Sequence, residues 1–141
     1  MRYCTRANVH VDRCASAWLI KRFIDSQAEF IFVEGTIPAP DSIAFDMHGV
    51  EWGHHRGKCS FEIIAELNGI SDPIISQIGK IIHGADITAD ADETLESAGI
   101  ELLFRGIRLI SRDDEEALER GGVVMDALYA ALQTTERNNR P

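Results

Sequence analysis

Between Phe45 and Glu62 the chain reads Phe-Asp-Met-His-Gly-Val-Glu-Trp-Gly-His-His-Arg-Gly-Lys-Cys-Ser-Phe-Glu. Three of the five histidines fall there, His48, His54 and His55, with Asp46, Glu51, Cys59 and Glu62 among them. Imidazole, thiolate and carboxylate are the side chains that hold divalent transition metals. The stretch therefore reads as a metal site or a polar catalytic pocket. The plainer reading is a solvated loop between a strand and a helix. His54 and His55 are adjacent, so a regular strand would turn them to opposite faces, and a loop is needed for both to meet one ion. Cys59 and Glu62 are three apart, which makes them neighbours on a helix. A thiol at the N-terminus of that helix would be acidified and reactive. The competing reading of Cys59 is a small buried residue.

Two further polar clusters sit at the ends of elements. In His10-Val-Asp12-Arg13 a strand hands over to a helix, and Asp12 reads most simply as that helix's N-cap. In His83-Gly-Ala-Asp86 an isoleucine-rich helix ends. The i, i+3 spacing lets His83 and Asp86 share an ion if the helix persists, while the alternative is a histidine on the helix C-terminus and an aspartate capping the next turn. None of these is a named short motif, since HExxH, CxxC, a phosphate loop and a dinucleotide fingerprint are all missing from the sequence. The argument rests on convergence of clusters at element ends.

The elements that must position them follow from periodicity. A first strand is expected within 2–9. Ala15, Trp18, Leu19, Arg22 and Phe23 have helical spacing, which predicts a helix over about 12–25. Residues 28–33 form a short apolar run, read as a buried strand. Residues 34–42, with Gly35, Pro38 and Pro40, read as a loop. Strands are expected at 43–46 and 50–52, then a loop over 53–58. Ser60 reads as the cap of a helix to about Leu67, stopped by Asn68-Gly69. Ser71-Asp72-Pro73 starts a second helix that reaches His83. Residues 88–92 read as an acidic linker. Further helices are expected over about 93–109 and from a capping box at Ser111-x-x-Asp114 to about Gln133. The expected fold is α+β, a small N-terminal β-sheet packed by a predominantly helical C-terminal two-thirds. Residues 1–133 form a single domain and 134–141 a frayed polar tail.

Bulk properties narrow the function. The net charge of −9 over 141 residues repels nucleic-acid backbone, which argues against generic DNA or RNA binding. No apolar run approaches the roughly 18 residues of a membrane helix, and the first residues lack the apolar core of a signal peptide. Three cysteines, an odd number without framework spacing, suit a reducing compartment and a cytoplasmic protein.

The string Val-Asp-Arg-Cys-Ala-Ser-Ala-Trp-Leu-Ile-Lys-Arg-Phe-Ile-Asp at 11–25 resembles the opening signature of the chromate-resistance domain, the C-terminal domain of ChrB-type proteins. Further matches follow in order: Ala28-Glu-Phe, Phe45-Asp46, Gly53-His-His55, Cys59-Ser-Phe-Glu62, Ile81-Ile-His-Gly-Ala-Asp86 and Asp126-Ala-Leu-Tyr129. They span nearly the whole chain. Larger members carry an extra N-terminal region linked to chromate-responsive regulation, and this chain resembles the stand-alone form. The resemblance implies that Asp12, Arg13, Asp46, His54, Cys59, Glu62 and Asp86 belong to the family pattern. His10, His48 and His83 fall at less fixed positions.

Three functions are weighed. The leading one is a metal-binding protein, extending to a metal-dependent enzyme that handles oxyanion or redox stress. Asp46, His54, Glu62 and Asp86 are its ligands, with His55 and Cys59 next, around iron, manganese or zinc. Asp12, Arg13 and Cys59 are the catalytic candidates, with Arg13 orienting an anionic substrate. The second is a non-catalytic chromate or sulfate sensor using Arg13, Arg56 and Lys58 and helix N-termini. Asp12 and Glu62 would repel its ligand. The third is a thiol or sulfur-transfer enzyme built on Cys59, for which Cys14 is the one plausible partner thiol and reads as buried. Expected partners are a small anion or small-molecule substrate, with no nucleic acid and no membrane. A homodimer through the last helix pair stays open.

Overall fold

A computed structural model describes residues 1–87 and 94–139 of the chain. Its first half is a three-stranded parallel sheet. Strand β1 (Arg2–Arg6) is central, flanked by β2 (Glu29–Val33) and β3 (Ile43–Ala44) in the order β2-β1-β3. Cys4 lies opposite Ile31 on one side and Ala44 on the other. Tyr3, Cys4 and Thr5 are all buried, as expected for the middle strand of a covered parallel sheet. The strand expected at 50–52 reduces to one bridge between Phe45 and Trp52.

Helix α1 (Val11–Leu19) makes the crossover between β1 and β2. Arg13 excepted, all its residues are buried, so it is a core helix with no free face. Asp12 does not cap it. The N-cap position belongs to His10, whose side chain makes no capping bond. Nor does α1 run unbroken to residue 25. Ile20–Ile24 form a π-helical turn, closed by the Asp25 N–H on the Ile20 carbonyl at 2.7 Å. One inserted residue of this kind rotates the end of the helix relative to its start.

Four helices follow: α2 (Ser60–Leu67), α3 (Pro73–Asp86), α4 (Ser97–Ile110) and α5 (Asp114–Asn138). Cys59, not Ser60, is the N-cap of α2. Asp72 caps α3 through the Ile74 N–H at 2.8 Å, with Pro73 in the first turn. The α3 helix passes His83 to end on Asp86. Asp113 rather than Ser111 caps α5, which continues to Asn138, beyond the end expected at Gln133. The expected linker at 88–92 and the expected start of α4 at Glu93 lie outside the described residues.

Helix α3 packs against α1, α2, α4 and α5. Its isoleucines 74, 75, 78, 81 and 82 are all buried, each contributing about 1.5–3 kcal/mol by leaving water. Helix α5 crosses α1 and α4 so closely that a Cβ on Gly121 would lie 2.9 Å from the Phe104 ring and 3.3 Å from Cys14 Cβ. At the far side of α1, Trp18 Nε1 donates to Asp126 at 2.9 Å, and the Arg22 guanidinium stacks 4.4 Å from the Tyr129 ring. The architecture is α+β, a small N-terminal sheet followed by a helical remainder. No helix among the described residues is long and apolar enough to cross a membrane.

Candidate metal centre

The parallel strands β1 and β3 both end toward the same rim, where open parallel sheets place their ligands. Asp12 and Arg13 follow β1 in the first turn of α1. Asp46 follows β3. The rim is completed by His54, by the N-terminus of α2 at Ser60 and Phe61, and by Asp86 at the end of α3.

Asp12 is 1% exposed, and its burial is matched by its partners. Its Oδ2 accepts the Ser60 N–H at 2.9 Å, and its Oδ1 accepts the Phe61 N–H at 3.0 Å and the Ser16 hydroxyl at 3.3 Å. The carboxylate therefore sits on the positive end of α2, a helix 48 residues further on. His54 Nε2 lies 3.1 Å from Asp12 Oδ2, 3.1 Å from Asp86 Oδ2 and 3.6 Å from Asp46 Oδ1. Three carboxylates thus meet at one imidazole nitrogen.

Local backbone enforces this. Asp46 stands at φ 48°, the left-handed region that aspartate tolerates better than most residues. Its carbonyl accepts Arg13 Nε at 3.3 Å and Nη2 at 3.2 Å, and its carboxylate meets Arg13 Nε at 3.2 Å and the Ser60 hydroxyl at 2.7 Å. A Cβ on Gly53 would lie 2.9 Å from the Met47 carbonyl oxygen, so the tight return from Asp46 to His54 needs glycine there. Asp86 occupies the last turn of α3, the end where the helix dipole disfavours a carboxylate. Strain at Asp46 and an unfavourable helix end at Asp86 are costs that a functional site can explain.

The charges are incompletely balanced. Burial first, then the Asp12 charge, pushes Asp46 up to about 7. The same two causes push Asp86 up to about 6. The hydrogen bond to Asp12 leads in raising His54 to about 9. The cavity is about 280 Å³ and is lined by His10, Asp12, Arg13, Asp46, His54 and Asp86. His10 Nδ1 is buried with no hydrogen-bond partner among the described residues. A second cavity of about 360 Å³ shares Arg13, Asp46 and His54 and adds Arg6, Thr36 and His48. A larger groove of about 890 Å³ between α1, β2 and α5 gathers no such set of ligands.

Two ligand candidates from the sequence lie elsewhere. His55 is exposed, and its Nε2 donates to the Val50 carbonyl at 2.8 Å. Glu62 belongs to a separate group with Cys59 and His83. Its Oε1 accepts the Cys59 N–H at 3.1 Å and meets His83 Nδ1 at 2.8 Å. His83 thus faces Glu62, while Asp86 faces His54, so the i, i+3 pair does not share one centre. Cys59 is fully buried, and burial together with the Asp12 charge raises its thiol pKa, opposite to the acidification expected of a helix N-terminus. Cys14 is likewise buried, its thiol pushed up to about 12 by desolvation. Ser60 was legible only as a helix cap, and its hydroxyl on Asp46 has no local signal in the sequence.

The family comparison agrees with the sequence resemblance. The profile of the ChrB C-terminal domain matches residues 3–132. Protein ChrB of Cupriavidus metallidurans (strain ATCC 43123 / DSM 2839 / NBRC 102507 / CH34) is 34% identical over 138 residues. That match covers 96% of this chain but 42% of the relative, so the chain spans less than half the length of that protein. No solved structure matches the chain. The chain belongs to the ChrB C-terminal domain family, the chromate-resistance family.

Proposed function

We propose that this protein binds a divalent metal ion at Asp46, His54 and Asp86, with Asp12 and Arg13 holding that set in place, and uses it on a small anionic substrate. The observation that carries the reading is the convergence of Asp12, Asp46 and Asp86 within 3.6 Å of His54 Nε2 in a partly buried cavity. Carboxylates this close repel one another in low dielectric, and a cation between them removes the cost. Carboxylate oxygens with one imidazole suit manganese, iron or zinc rather than a soft ion. Bound there, such an ion supplies Lewis-acid activation of a coordinated water or oxyanion.

The chain's own groups divide the remaining work. Asp12 pins the N-terminus of α2, and with it Ser60, beside the site, and Ser60 and Arg13 fix the Asp46 carboxylate. Arg13 also borders the second cavity, where Arg6 adds positive charge. A small oxyanion in that cavity would lie beside His54 and Arg13. Family membership supports a role in the response to chromate or a related oxyanion.

The anion sensor without metal keeps one observation in its favour, the pairing of Arg6 and Arg13 on one cavity. Asp46, which lines the same cavity, opposes it, as do Asp12 and Asp86 in the neighbouring one. The burial and raised pKa of Cys59 weigh against a thiol mechanism.

Calorimetric titration with Mn(II), Fe(II) and Zn(II) tests the proposal. Asp46→Asn, His54→Ala and Asp86→Asn should each lower affinity by about tenfold or more. His55→Ala, Glu62→Gln and Cys59→Ser should retain it. Unchanged affinity in two of the first three variants would end the assignment. Sulfate or chromate raising the Tm of metal-free protein, without any metal binding, would favour the sensor.

A further inference from the structure

The two edges of the sheet are finished differently. On one side β3 has only two residues, and the Asp46 N–H on the Trp52 carbonyl at 2.9 Å closes the chain just beyond it. On the other side β2 offers its whole five-residue length, Glu-Phe-Ile-Phe-Val, as an edge. The Glu29 N–H donates to the Met1 carbonyl at 3.1 Å, and the Val33 carbonyl accepts the Ala7 N–H at 2.8 Å. Backbone groups alternate in direction along a parallel ladder. Glu29, Ile31 and Val33 therefore turn theirs to β1, and Phe30 and Phe32 turn theirs outward. The N–H and C=O groups of Phe30 and Phe32 have no hydrogen-bond partner among the described residues. Sheet edges are ordinarily guarded by a lysine, a proline, a bulge or a covering segment. Strand β2 carries no lysine or proline, and its register against β1 is unbroken.

We propose that this edge takes a strand from a partner protein, an extended segment with apolar residues in its middle and basic residues at its ends. Outward N–H and C=O groups at two alternate residues are met best by extended chain, the strand addition that exposed edges support. The apolar middle follows from what lies alongside. The groove of about 890 Å³ opens at the start of β2, bordered by Phe30 on the strand, Trp18 on α1, and Leu118 and Val123 on α5. Val123 is 69% exposed there.

The basic ends follow from charge. Glu29 opens the strand and Glu34 follows it, while Glu115 and Glu119 line the groove. All four are exposed, and none enters an ion pair among the described residues. Of the two cations lining the groove, Lys21 and Arg22, the second is held by Asp126 at 3.1 Å. Lysine or arginine on the incoming segment would meet these carboxylates. The same acids disfavour a second copy of this chain as the occupant. A two-fold pairing of β2 with itself is antiparallel, which gathers Glu29 of one strand and Glu34 of the other at each end.

The test is nuclear magnetic resonance titration of the full chain with an acetylated, amidated peptide of alternating valine and threonine, long enough to span β2 and ending in two lysines on each side. In the free protein the Phe30 and Phe32 amides should exchange with solvent quickly and the Ile31 amide slowly. The peptide should slow exchange at Phe30 and Phe32 by about tenfold or more and leave Ile31 unchanged. Methylating the peptide's backbone nitrogens at one set of alternate residues should abolish binding, and methylating the other set should spare it, since only one set faces β2. Glutamates in place of the peptide's lysines should weaken binding by about tenfold or more, and Glu29→Lys with Glu34→Lys should reverse that preference. Circular dichroism checks that this variant folds. No binding at millimolar peptide overturns the proposal. So does binding that leaves the Phe30 and Phe32 amides unprotected, or that ignores which nitrogens are methylated or the charge of the ends. Protection of both amides in a peptide-free dimer would name a second copy as the occupant and overturn it equally.

Discussion

Replacing Asp46 by asparagine should stabilise the metal-free protein while removing its metal binding. Asp46 titrates near 7 in the fold against an ordinary value of 3.8, with burial as the leading cause and the Asp12 charge second. The sign follows from linkage. A carboxylate with a raised folded pKa costs nothing while it is protonated in both states. The penalty grows between the two values and is complete above the folded one. A shift of about three units corresponds to roughly 4 kcal/mol of destabilisation above pH 7, an order-of-magnitude figure. Asparagine keeps an acceptor for the Ser60 hydroxyl but loses the ion pair to Arg13, which offsets part of the gain. The expected net gain at about pH 8 is on the order of 2–3 kcal/mol, falling toward zero near pH 4. Urea melts in the presence of a chelator at both pH values would measure it. If Asp46→Asn were no more stable than wild type at the higher pH, or if the difference did not change with pH, carboxylate crowding would not be a real cost. The main physical reason for placing a cation there would go with it.

Other consequences are equally specific. Asp12→Ala removes the acceptor of two buried backbone N–H groups at the start of α2 and of the Ser16 hydroxyl. It should cost about 3–5 kcal/mol in denaturant melts, and Asp12→Asn about half of that, because one oxygen remains. Metal binding should strengthen as pH rises from about 6 to 9, with protons released, because the ion must displace protons held by Asp46 near 7 and His54 near 9. Calorimetry in buffers of different ionisation enthalpy reads this directly, and a pH-independent affinity would contradict it. Gly121→Ala should cost about 1–3 kcal/mol by thermal melting, since its methyl has no room between Phe104 and Cys14.

What the sequence discloses divides along the range of the interactions. Local signals were readable. Ser71-Asp72-Pro73 announced α3, the apolar run at 28–33 announced β2, though as an edge strand it is half-buried rather than buried, and Asn68-Gly69 ended α2. The ligand-rich stretch was also visible, because histidines and carboxylates concentrate where a scaffold needs them. Long-range pairings were not readable. Asp12 looks like a cap of its own helix, and only the fold shows that it caps α2 instead. Spacing allowed His83 and Asp86 to share an ion, yet the packing of α2 on α3 turns His83 to Glu62 and leaves Asp86 to His54. A helix N-terminus promises an acidic thiol at Cys59, but full burial beside carboxylates prevails. The π-helical turn at Ile20–Ile24 has no local sequence mark.

The central claim is that Asp46, His54 and Asp86 hold a divalent metal ion. Its most direct test is metal content by elemental mass spectrometry on protein purified without an affinity tag or chelator, for the wild type beside Asp46→Asn and His54→Ala. The account predicts close to one equivalent of manganese, iron or zinc in the wild type and little in either variant. A wild-type protein that is empty and refuses added metal, or variants that keep a full equivalent, would contradict it.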